Sequence, residues 1–308
     1  MTKITIVGAG NVGSQVAFYT TIRNLANEIV LMDIHEDLAK GKALDILHAN
    51  PLFGSNTKII GTNNYELSKD SDVVIITAGS PRKPGMLRND LIPLNSRILS
   101  SIIPNIVTNS PNCILVIVTN PVDVMTYLAY KLSKLPRQRV IGMAGVLDTT
   151  RFKTFISEHT NADVNKVDAM VIGSHGKLCL PLINKSQING TSIFNHIEKP
   201  VSDLIVQKVK NGGTEIVDLL KTGSAFFAPA VSIVSVVESI LRDNKNILTC
   251  SVLLEGEYNV NDLFIGVPVI LGKEGIEKII ELDLSEDEKL EFNKSILHIK
   301  ESIKQLIF

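Results

Sequence analysis

The feature that most restricts the fold of this chain is a glycine-rich turn close to its first residue, Gly8-Ala9-Gly10-Asn11-Val12-Gly13. An apolar run at residues 3–7 (KITIV) predicts a buried strand before the turn, and residues 11–23 predict a helix after it. The three glycines suit a tight turn, close approach of a phosphate to the backbone, and close helix–strand packing. The free N–H groups at the helix start would then face the phosphate.

A second signal strengthens the first. Asp33 lies twenty residues past Gly13, at the end of the apolar run 28–32 (EIVLM). A carboxylate in this position accepts hydrogen bonds from the adenosine ribose hydroxyls and repels a 2′-phosphate, which favours NAD over NADP. The GxGxxG motif alone is weak, but the strand, the helix and the acid agree. We therefore expect an NAD site here.

The first 145 residues alternate between apolar runs and amphipathic stretches, which predicts an α/β Rossmann domain with a doubly wound parallel sheet. The runs are nearly continuous in Val and Ile, as in strands buried on both faces. The expected strands are 3–7, 28–32, 72–77, 113–119 and 139–143, and the expected helices are 11–23, 36–49, 89–109 and 121–134. Pro93 and Pro104 predict that the third helix is broken or kinked.

The second half, residues 146–308, has a different pattern, and we expect an α+β substrate-binding and catalytic domain there. The expected strands are 167–173, 247–254 and 264–271, and the expected helices are 148–159, 201–221, 229–243 and 285–306. Ser285 and Glu288 form a capping-box pattern at the start of the last helix.

Composition excludes several classes of protein. With 31 basic and 32 acidic residues and no basic stripe, a nucleic-acid partner is not expected. No apolar run reaches the length of a membrane span. The three cysteines, Cys113, Cys179 and Cys250, show no metal-ligand spacing, so we expect buried thiols, no metal site and a reducing, cytoplasmic compartment.

Three stretches carry residues suited to oxidising a secondary alcohol. Leu147–Arg151 (LDTTR) places Asp148 and Arg151 on one side of a helical turn, and His175 stands between small residues in GSHG. The third stretch, residues 81–88 (PRKPGMLR), is a Pro/Gly-punctuated loop with two arginines. Histidine is the natural proton acceptor near neutral pH, a carboxylate can orient it, and arginine binds a substrate carboxylate with two donors. Each residue taken alone would more often be structural: a satisfied histidine, a helix-start acid or a surface arginine.

Six motifs in order give the chain a resemblance to the lactate/malate dehydrogenase family: GAGNVG, TAGSPRKPGMLRNDL, VTNPVDV, GVLDTTRF, GSHG and LLKTGSAFFAPA. The resemblance implies that His175 exchanges the proton with Asp148 as its partner, and that Arg151 binds the C1 carboxylate. It also implies that Arg88 polarises the carbonyl and that Asn120 contacts substrate and nicotinamide. The expected cofactor contacts are Gly8, Gly10, Asn11, Val12, Gly13, Asp33, Thr77, Ala78, Gly79, Asn95, Val118 and Asn120.

Substrate choice within the family is expected to depend on Arg82. The resemblance implies a malate-oxidising member of the tricarboxylic acid cycle, since lactate enzymes typically carry Gln where this chain has Arg82. An L-lactate or other 2-hydroxy acid dehydrogenase remains the alternative. Lys177 departs from the family, which commonly has an acid there. A cation beside His175 would disfavour the imidazolium, unless it points to solvent.

Two other classes of protein remain open from the residues. A catalytically silent NAD-binding protein would need neither His175 nor Arg151. An epimerase or short-chain dehydrogenase would use a Tyr-x-x-x-Lys pair, which Tyr127 and Lys131 match in form. The resemblance also implies a homodimer or homotetramer, with small and leucine residues of helix 36–49 (Ala39, Gly41, Ala43, Leu44 and Leu47) against a second subunit.

Overall fold

A computed structural model describes residues 1–80 and 88–307, with the backbone alone for residues 88 and 89. The first half contains β1 (Lys3–Val7), α1 (Asn11–Ile22), β2 (Glu28–Met32), α2 (Glu36–Phe53), β3 (Lys58–Thr62), β4 (Val73–Ile76), α3 (Ile92–Asn109), β5 (Ile114–Ile117), α4 (Val122–Ser133) and β6 (Val140–Gly142). These strands are parallel in the order β3-β2-β1-β4-β5-β6. The order reverses between β1 and β4, which creates the crevice where such sheets bind ligands.

The structure confirms the predicted α/β class and corrects two details of the first half. The strand β3 was not predicted, because it is a short edge strand with an exposed Lys58 and a glycine in its sequence, KIIGT. A Cβ on Gly61 would overlap the backbone of Ala39, so glycine lets α2 lie directly on this strand. The helix α3 is continuous rather than broken: Pro93 lies in its first turn, where no backbone donor is needed, although Pro104 is interior.

The second half contains α5 (Gly145–Thr160), β7 (Val167–Asp168), β8 (Val171–Gly173), β9 (Cys179–Pro181), β10 (Gln187–Ile188), β11 (Thr191–Ser192), α6 (Lys199–Leu220), α7 (Phe227–Leu241), β12 (Asn246–Glu255), β13 (Asn261–Gly272), β14 (Gly275–Ile279) and α8 (Glu286–Ile303). The single strand predicted at 167–173 is two strands in different sheets, β7 and β8. The short strands β9, β10, β11 and β14 were not predicted, because strands of two to five residues carry little periodicity. The predicted capping box of Ser285 and Glu288 is present at the start of α8.

The central sheet continues from the first half into the second. The strand β6 pairs antiparallel with β12, and the sheet then runs through β13, β8 and β9, with β14 on β13. A three-stranded sheet, β11-β10-β7, lies apart from it. Residues 174–178 form the tight turn that connects β8 and β9. This turn therefore belongs to the same sheet as the glycine-rich turn that follows β1.

Burial accounts for the three cysteines as expected. Cys113, Cys179 and Cys250 are buried and form no disulfide. Burial raises the pKa of the Cys113 and Cys250 thiols to about 12, so both are neutral packing residues. None of the helices in the described part of the chain combines the length and the apolar character needed to cross a membrane.

Candidate active site

The glycine-rich turn has the geometry that its sequence predicts. Gly8 has φ +110°, a conformation that side-chain-bearing residues rarely adopt, and a Cβ on Gly13 would overlap the Gly8 carbonyl. Among the described residues, a Cβ on Gly10 would meet nothing within 4 Å, so that part of the structure leaves this face of the turn open. The start of α1 has neither a side-chain cap nor an acidic residue in its first turn. The helix α1 begins at the exposed residue Asn11, and its uncapped N-terminus is suited to bind a pyrophosphate.

Two charged side chains hold Ala9, the second residue of this turn. Asp33 Oδ2 accepts from the Ala9 N–H at 2.8 Å, while Oδ1 accepts from the His35 N–H at 3.0 Å. Lys42 of α2 donates its Nζ to the Ala9 carbonyl at 2.8 Å. Asp33, which is predicted to accept hydrogen bonds from the ribose, therefore also fixes the conformation of the turn. Sequence reasoning missed Lys42, whose position depends on how α2 crosses the turn.

The ends of β4 and β5 lie beside the glycine-rich turn. The Thr77 hydroxyl donates to the Gly8 carbonyl at 3.0 Å, and a Cβ on Gly8 would contact the Ala78 nitrogen at 2.7 Å. Gly79 is exposed, and a Cβ at this position would lie 2.7 Å from the Thr119 side chain. The predicted contacts Gly8, Thr77, Ala78 and Gly79 therefore occupy one continuous edge.

Asn95 connects this edge to the end of β5. Its Oδ1 accepts from the Ser80 N–H at 2.7 Å, and its Nδ2 donates to the Asn120 carbonyl at 2.6 Å. The Asn95 side chain is therefore committed to backbone partners, and its approach to a cofactor would be through the loop it holds. The Asn120 Oδ1 is buried without a hydrogen-bond partner among the described residues, which fits a group that receives a donor from a ligand. Val118, at half burial, packs against the core beside it.

These features together fit a dinucleotide. The open turn suits the pyrophosphate, Asp33 suits the ribose, and the strand ends Thr77–Gly79 and Val118–Asn120 lead from them along the sheet edge.

The fold brings together the three residues of the predicted catalytic group. His175 Nδ1 lies 2.7 Å from Asp148 Oδ2, and Arg151 Nη1 lies 3.4 Å from Asp148 Oδ1. Asp148 is 1% exposed, so its carboxylate is held between the histidine and the arginine, away from water. This contact fixes the ring orientation of His175. The Arg151 side chain lies against α6 at Gly212 and Gly213, where an added Cβ would make ordinary van der Waals contact with it.

Asp123 is a buried acid beside His175 that sequence reasoning missed. Its Oδ2 accepts from the Ser174 hydroxyl at 3.0 Å and from the His175 N–H at 3.2 Å, and its Oδ1 accepts from the Ser251 hydroxyl at 2.6 Å. Burial raises the pKa of the Asp123 carboxyl, against the opposing effect of these hydrogen bonds and of the nearby His175. Asp123 therefore ties α4, β12 and the His175 turn together. It lies within the quoted VTNPVDV motif, which was the available signal.

The remaining predicted residues divide into two groups. Arg82 and the side chain of Arg88 lie outside the described residues. Lys177 is exposed, in keeping with a side chain that points to solvent.

The Tyr127–Lys131 pair is engaged away from this cluster. The Tyr127 hydroxyl lies 3.1 Å from one Asp262 carboxylate oxygen, and Lys131 Nζ lies 2.9 Å from the other. Both side chains thus join α4 to the start of β13, which is a structural role and removes the support for a Tyr-x-x-x-Lys enzyme.

The fold and the site define an NAD-dependent dehydrogenase. The sequence model of the lactate/malate dehydrogenase NAD-binding domain matches residues 2–142, and that of the family's alpha/beta C-terminal domain matches residues 145–307. The chain belongs to the lactate/malate dehydrogenase family, which confirms the resemblance.

Similar proteins include both named activities of the family. A malate dehydrogenase from Ehrlichia chaffeensis is 46% identical, over 99% of this chain and 98% of that protein. The crystal structure of Cryptosporidium parvum malate dehydrogenase is 44% identical with a TM-score of 0.97, over 99% and 98% of the two chains. A Cryptosporidium parvum lactate dehydrogenase, solved with lactic acid and NAD, is 40% identical with a TM-score of 0.96, over 98% and 97%.

Proposed function

We propose that this protein catalyses the reversible NAD-dependent oxidation of (S)-malate to oxaloacetate. The observation that carries the proposal is the His175–Asp148–Arg151 group, joined by the buried Asp148 carboxylate in a chain with an NAD-binding domain. A protein that only binds NAD has no use for a histidine and an arginine held on one buried carboxylate. The malate dehydrogenases among the similar proteins, at 46% and 44% identity, support the choice of substrate.

In this reaction His175 accepts the alcohol proton through Nε2, while Nδ1 stays on Asp148. The Asp148 carboxylate stabilises the resulting imidazolium without taking its proton. NAD, held by the glycine-rich turn and Asp33, would supply the hydride acceptor for the oxidation and the hydride donor for the reverse reaction. Arg151 offers the substrate C1 carboxylate a planar, charged partner, for which it would turn from its long contact with Asp148.

Asn120 and Arg88 complete the proposed substrate site. The unpartnered Asn120 Oδ1 lies at the end of β5, on the edge that receives the cofactor. We assign it a contact to substrate and nicotinamide. Arg88 is assigned to the carbonyl oxygen, where its charge would stabilise the developing negative charge.

Arg82 is the residue that we assign to substrate choice. Malate and lactate share the C1 carboxylate and the reacting carbon, so His175 and Arg151 cannot distinguish them. Malate has a second carboxylate where lactate has a methyl group, and a site for malate needs one more positive group. Facing a methyl group in a closed site, Arg82 would be a buried charge without a partner, which costs several kcal/mol by rough estimate.

The test is NADH oxidation, followed by absorbance, with oxaloacetate, with pyruvate and with no substrate. We expect kcat/KM for oxaloacetate to exceed that for pyruvate by at least about a hundredfold, or on the order of 3 kcal/mol. Arg82→Gln should lower oxaloacetate turnover, raise pyruvate turnover and leave NADH affinity nearly unchanged. A wild-type preference for pyruvate would refute the malate assignment and favour the lactate alternative. No oxidation with either acid would refute both.

We also propose a cytoplasmic homo-oligomer in which α2 contacts a second copy. Ala39 and Ala43 are used internally against the core, contrary to the expectation that they face a partner. Leu38, Leu44 and Leu47 of α2 are nevertheless 42%, 52% and 39% exposed. Exposed leucines on a helix that is otherwise polar at its surface favour contact with a second copy. The three reduced cysteines support the reducing compartment.

A further inference from the structure

The catalytic histidine stands on a short turn that must be held at both ends. β8 and β9 pair with Gly173 opposite Cys179, which leaves residues 174–178 as the connection between them. Gly173 has φ +83° and Gly176 has φ +99°, and the Cys179 N–H donates to the Gly176 carbonyl at 2.9 Å. This conformation is compact, but the two glycines among the six residues 173–178 leave the backbone free to deform unless other elements fix it.

The beginning of the turn is fixed by groups already described. Asp123 accepts from the Ser174 hydroxyl and the His175 N–H. The strand β13 also packs closely against Gly173, because a Cβ on Gly266 would lie 2.6 Å from the Gly173 carbonyl. These contacts hold the chain up to His175 and leave its continuation, Gly176 to Leu178, to be held from elsewhere.

The end of the turn is held by the C-terminal helix. The Ser295 hydroxyl of α8 donates to the Leu178 carbonyl at 2.6 Å. Ser295 is 0% exposed, and its Oγ would lie 3.0 Å from a Cβ on Gly173, so the same hydroxyl lies beside both ends of the turn. The helix itself is fixed by its capping box and by the buried side chains of Phe292, Ile296 and Ile299. A donor on a fixed helix therefore meets the carbonyl three residues after His175.

We infer that Ser295 is a positioning residue for the dehydrogenase reaction, which sets the placement of His175 by anchoring the Leu178 end of its turn. Ser295 does not touch the substrate. Proton transfer requires heavy atoms about 2.6–3.2 Å apart, and a displacement of about 1 Å can cost a hundredfold in rate. The Asp148 contact orients the ring but not the backbone that carries it, so loss of the anchor would alter the chemical step more than cofactor binding.

The test compares Ser295→Ala with a matched control, Ser239→Ala. Ser239 of α7 is also 0% exposed, and its hydroxyl donates to the Leu271 carbonyl at 3.0 Å, outside the catalytic cluster. Both variants lose one buried serine-to-carbonyl hydrogen bond, and Ser239→Ala also loses the 3.3 Å hydrogen bond that Ser239 Oγ accepts from the Asn246 N–H, so the control perturbs stability at least as much. The measurements are kcat and KM for oxaloacetate, the NADH Kd by fluorescence, the Tm, and the isotope effect on kcat with NADH deuterated at the transferred hydrogen.

We expect Ser295→Ala to lower kcat about tenfold, to raise the isotope effect on kcat, and to leave the NADH Kd within about twofold. Ser239→Ala should lower the Tm by a similar amount and leave kcat and the isotope effect near the wild-type values. Ser295→Cys keeps a weak donor and should fall between serine and alanine. If Ser295→Ala does not fold, the comparison of Ser295→Cys with the wild type decides the question through the same readouts.

Unchanged kcat in Ser295→Ala, or in Ser295→Cys when only that variant folds, would overturn the inference. An equal loss of kcat in Ser239→Ala would overturn it too, because the effect would then belong to stability in general. The inference rests on the proposed function, and the wild-type enzyme separates the two. Absence of NADH oxidation in the wild type refutes the proposed function, whereas normal turnover in the wild type and in Ser295→Ala refutes only the role of Ser295.

Discussion

The proposed cofactor edge (Gly8–Gly13, Thr77–Gly79 and Val118–Asn120) and the proposed catalytic cluster (Asp123, Asp148, Arg151 and His175) are built in opposite ways. The cofactor edge uses backbone: an open glycine turn, the uncapped start of α1 and the ends of adjacent strands. The catalytic cluster uses side chains from α5, α4, β12 and the β8–β9 turn, joined by two buried carboxylates, Asp148 and Asp123. The cofactor edge should lose most when space is lost and less when one side chain is changed. The catalytic cluster should fail when one polar group is lost.

The largest effect should follow from removing the proton acceptor. His175→Asn should lower kcat for oxaloacetate reduction about a thousandfold, within the usual range for general acid–base groups. NADH binding should remain, because the cofactor edge uses none of the His175 contacts. Steady-state kinetics and NADH fluorescence titration check the two parts. Full activity in this variant would show that the histidine assignment is wrong.

A smaller effect, confined to the cofactor edge, should follow from filling the glycine turn. Gly13→Ala should weaken NADH binding by about tenfold to a hundredfold, since overpacking costs roughly 1–3 kcal/mol and the new Cβ would overlap the Gly8 carbonyl. Gly41→Ala in α2 is the control within the subunit, because its Cβ would meet nothing within 4 Å among the described residues of the same chain. That variant should bind NADH normally, and its oligomeric state is measured alongside because α2 is the proposed interface. Equal losses of NADH affinity in the two variants would contradict the proposal that the glycine-rich turn binds the cofactor.

Asp123→Asn should show how the cluster depends on one buried carboxylate. An amide can still accept from Ser251, but its Nδ2 cannot accept from the His175 N–H. The free energy of unfolding should fall by about 1–3 kcal/mol, the usual cost of an unsatisfied buried group. Denaturant unfolding of both proteins measures the difference.

The pH dependence of that difference has a definite sign. Because the pKa of Asp123 is raised in the folded protein, the folded state holds the proton more tightly than the unfolded chain. Its contribution to stability is therefore greatest at low pH and is lost as pH rises from the ordinary value of 3.8 through the raised pKa. The stability deficit of Asp123→Asn should narrow over this range. A deficit that widens with rising pH would mean that the carboxylate is favoured in the fold.

The smallest effect should be a change of cofactor preference. Asp33→Ser should remove a ribose acceptor and a repulsive charge, so we expect kcat/KM for NADH to fall and the preference over NADPH to narrow by about tenfold, or about 1.4 kcal/mol. Serine is one bond shorter than aspartate, so the Ala9 N–H also loses its 2.8 Å acceptor and part of the fall in kcat/KM would come from the turn, whereas the cofactor ratio reports on the ribose. If the ratio of the two kcat/KM values is unchanged, Asp33 does not face the ribose.

The same contrast explains what the sequence could predict. The glycine turn and Asp33 are local signals, separated by a single strand and helix, and the alternation of runs was enough to predict the parallel sheet. The edge strand β3 was missed because Lys58 and Gly61 interrupt its apolar pattern. The capping box of α8 was predicted from its two residues alone.

The catalytic cluster required more than local pattern. His175 and Asp148 were paired through resemblance to a family, since neither residue alone indicates a site. Asp123 and Ser295 were missed because their roles depend on distant parts of the chain. Asp123 contacts Ser174, which lies 51 positions away, and Ser295 contacts Leu178, which lies 117 positions away. Serine on an amphipathic helix is common, and only the packed structure shows which carbonyl it reaches.

The continuous sheet has a consequence for how the molecule opens. Gly142 of β6 pairs with Ser251 of β12, so the strands that carry the two halves of the chain form one hydrogen-bonded array. Separating the halves would expose an unpaired edge on each, within apolar surroundings, and backbone groups left there without partners are costly. Amide protons of β12 and β13 should therefore exchange only in openings that also involve the parallel strands. Cofactor binding to the first half would then slow exchange in strands that the cofactor does not touch.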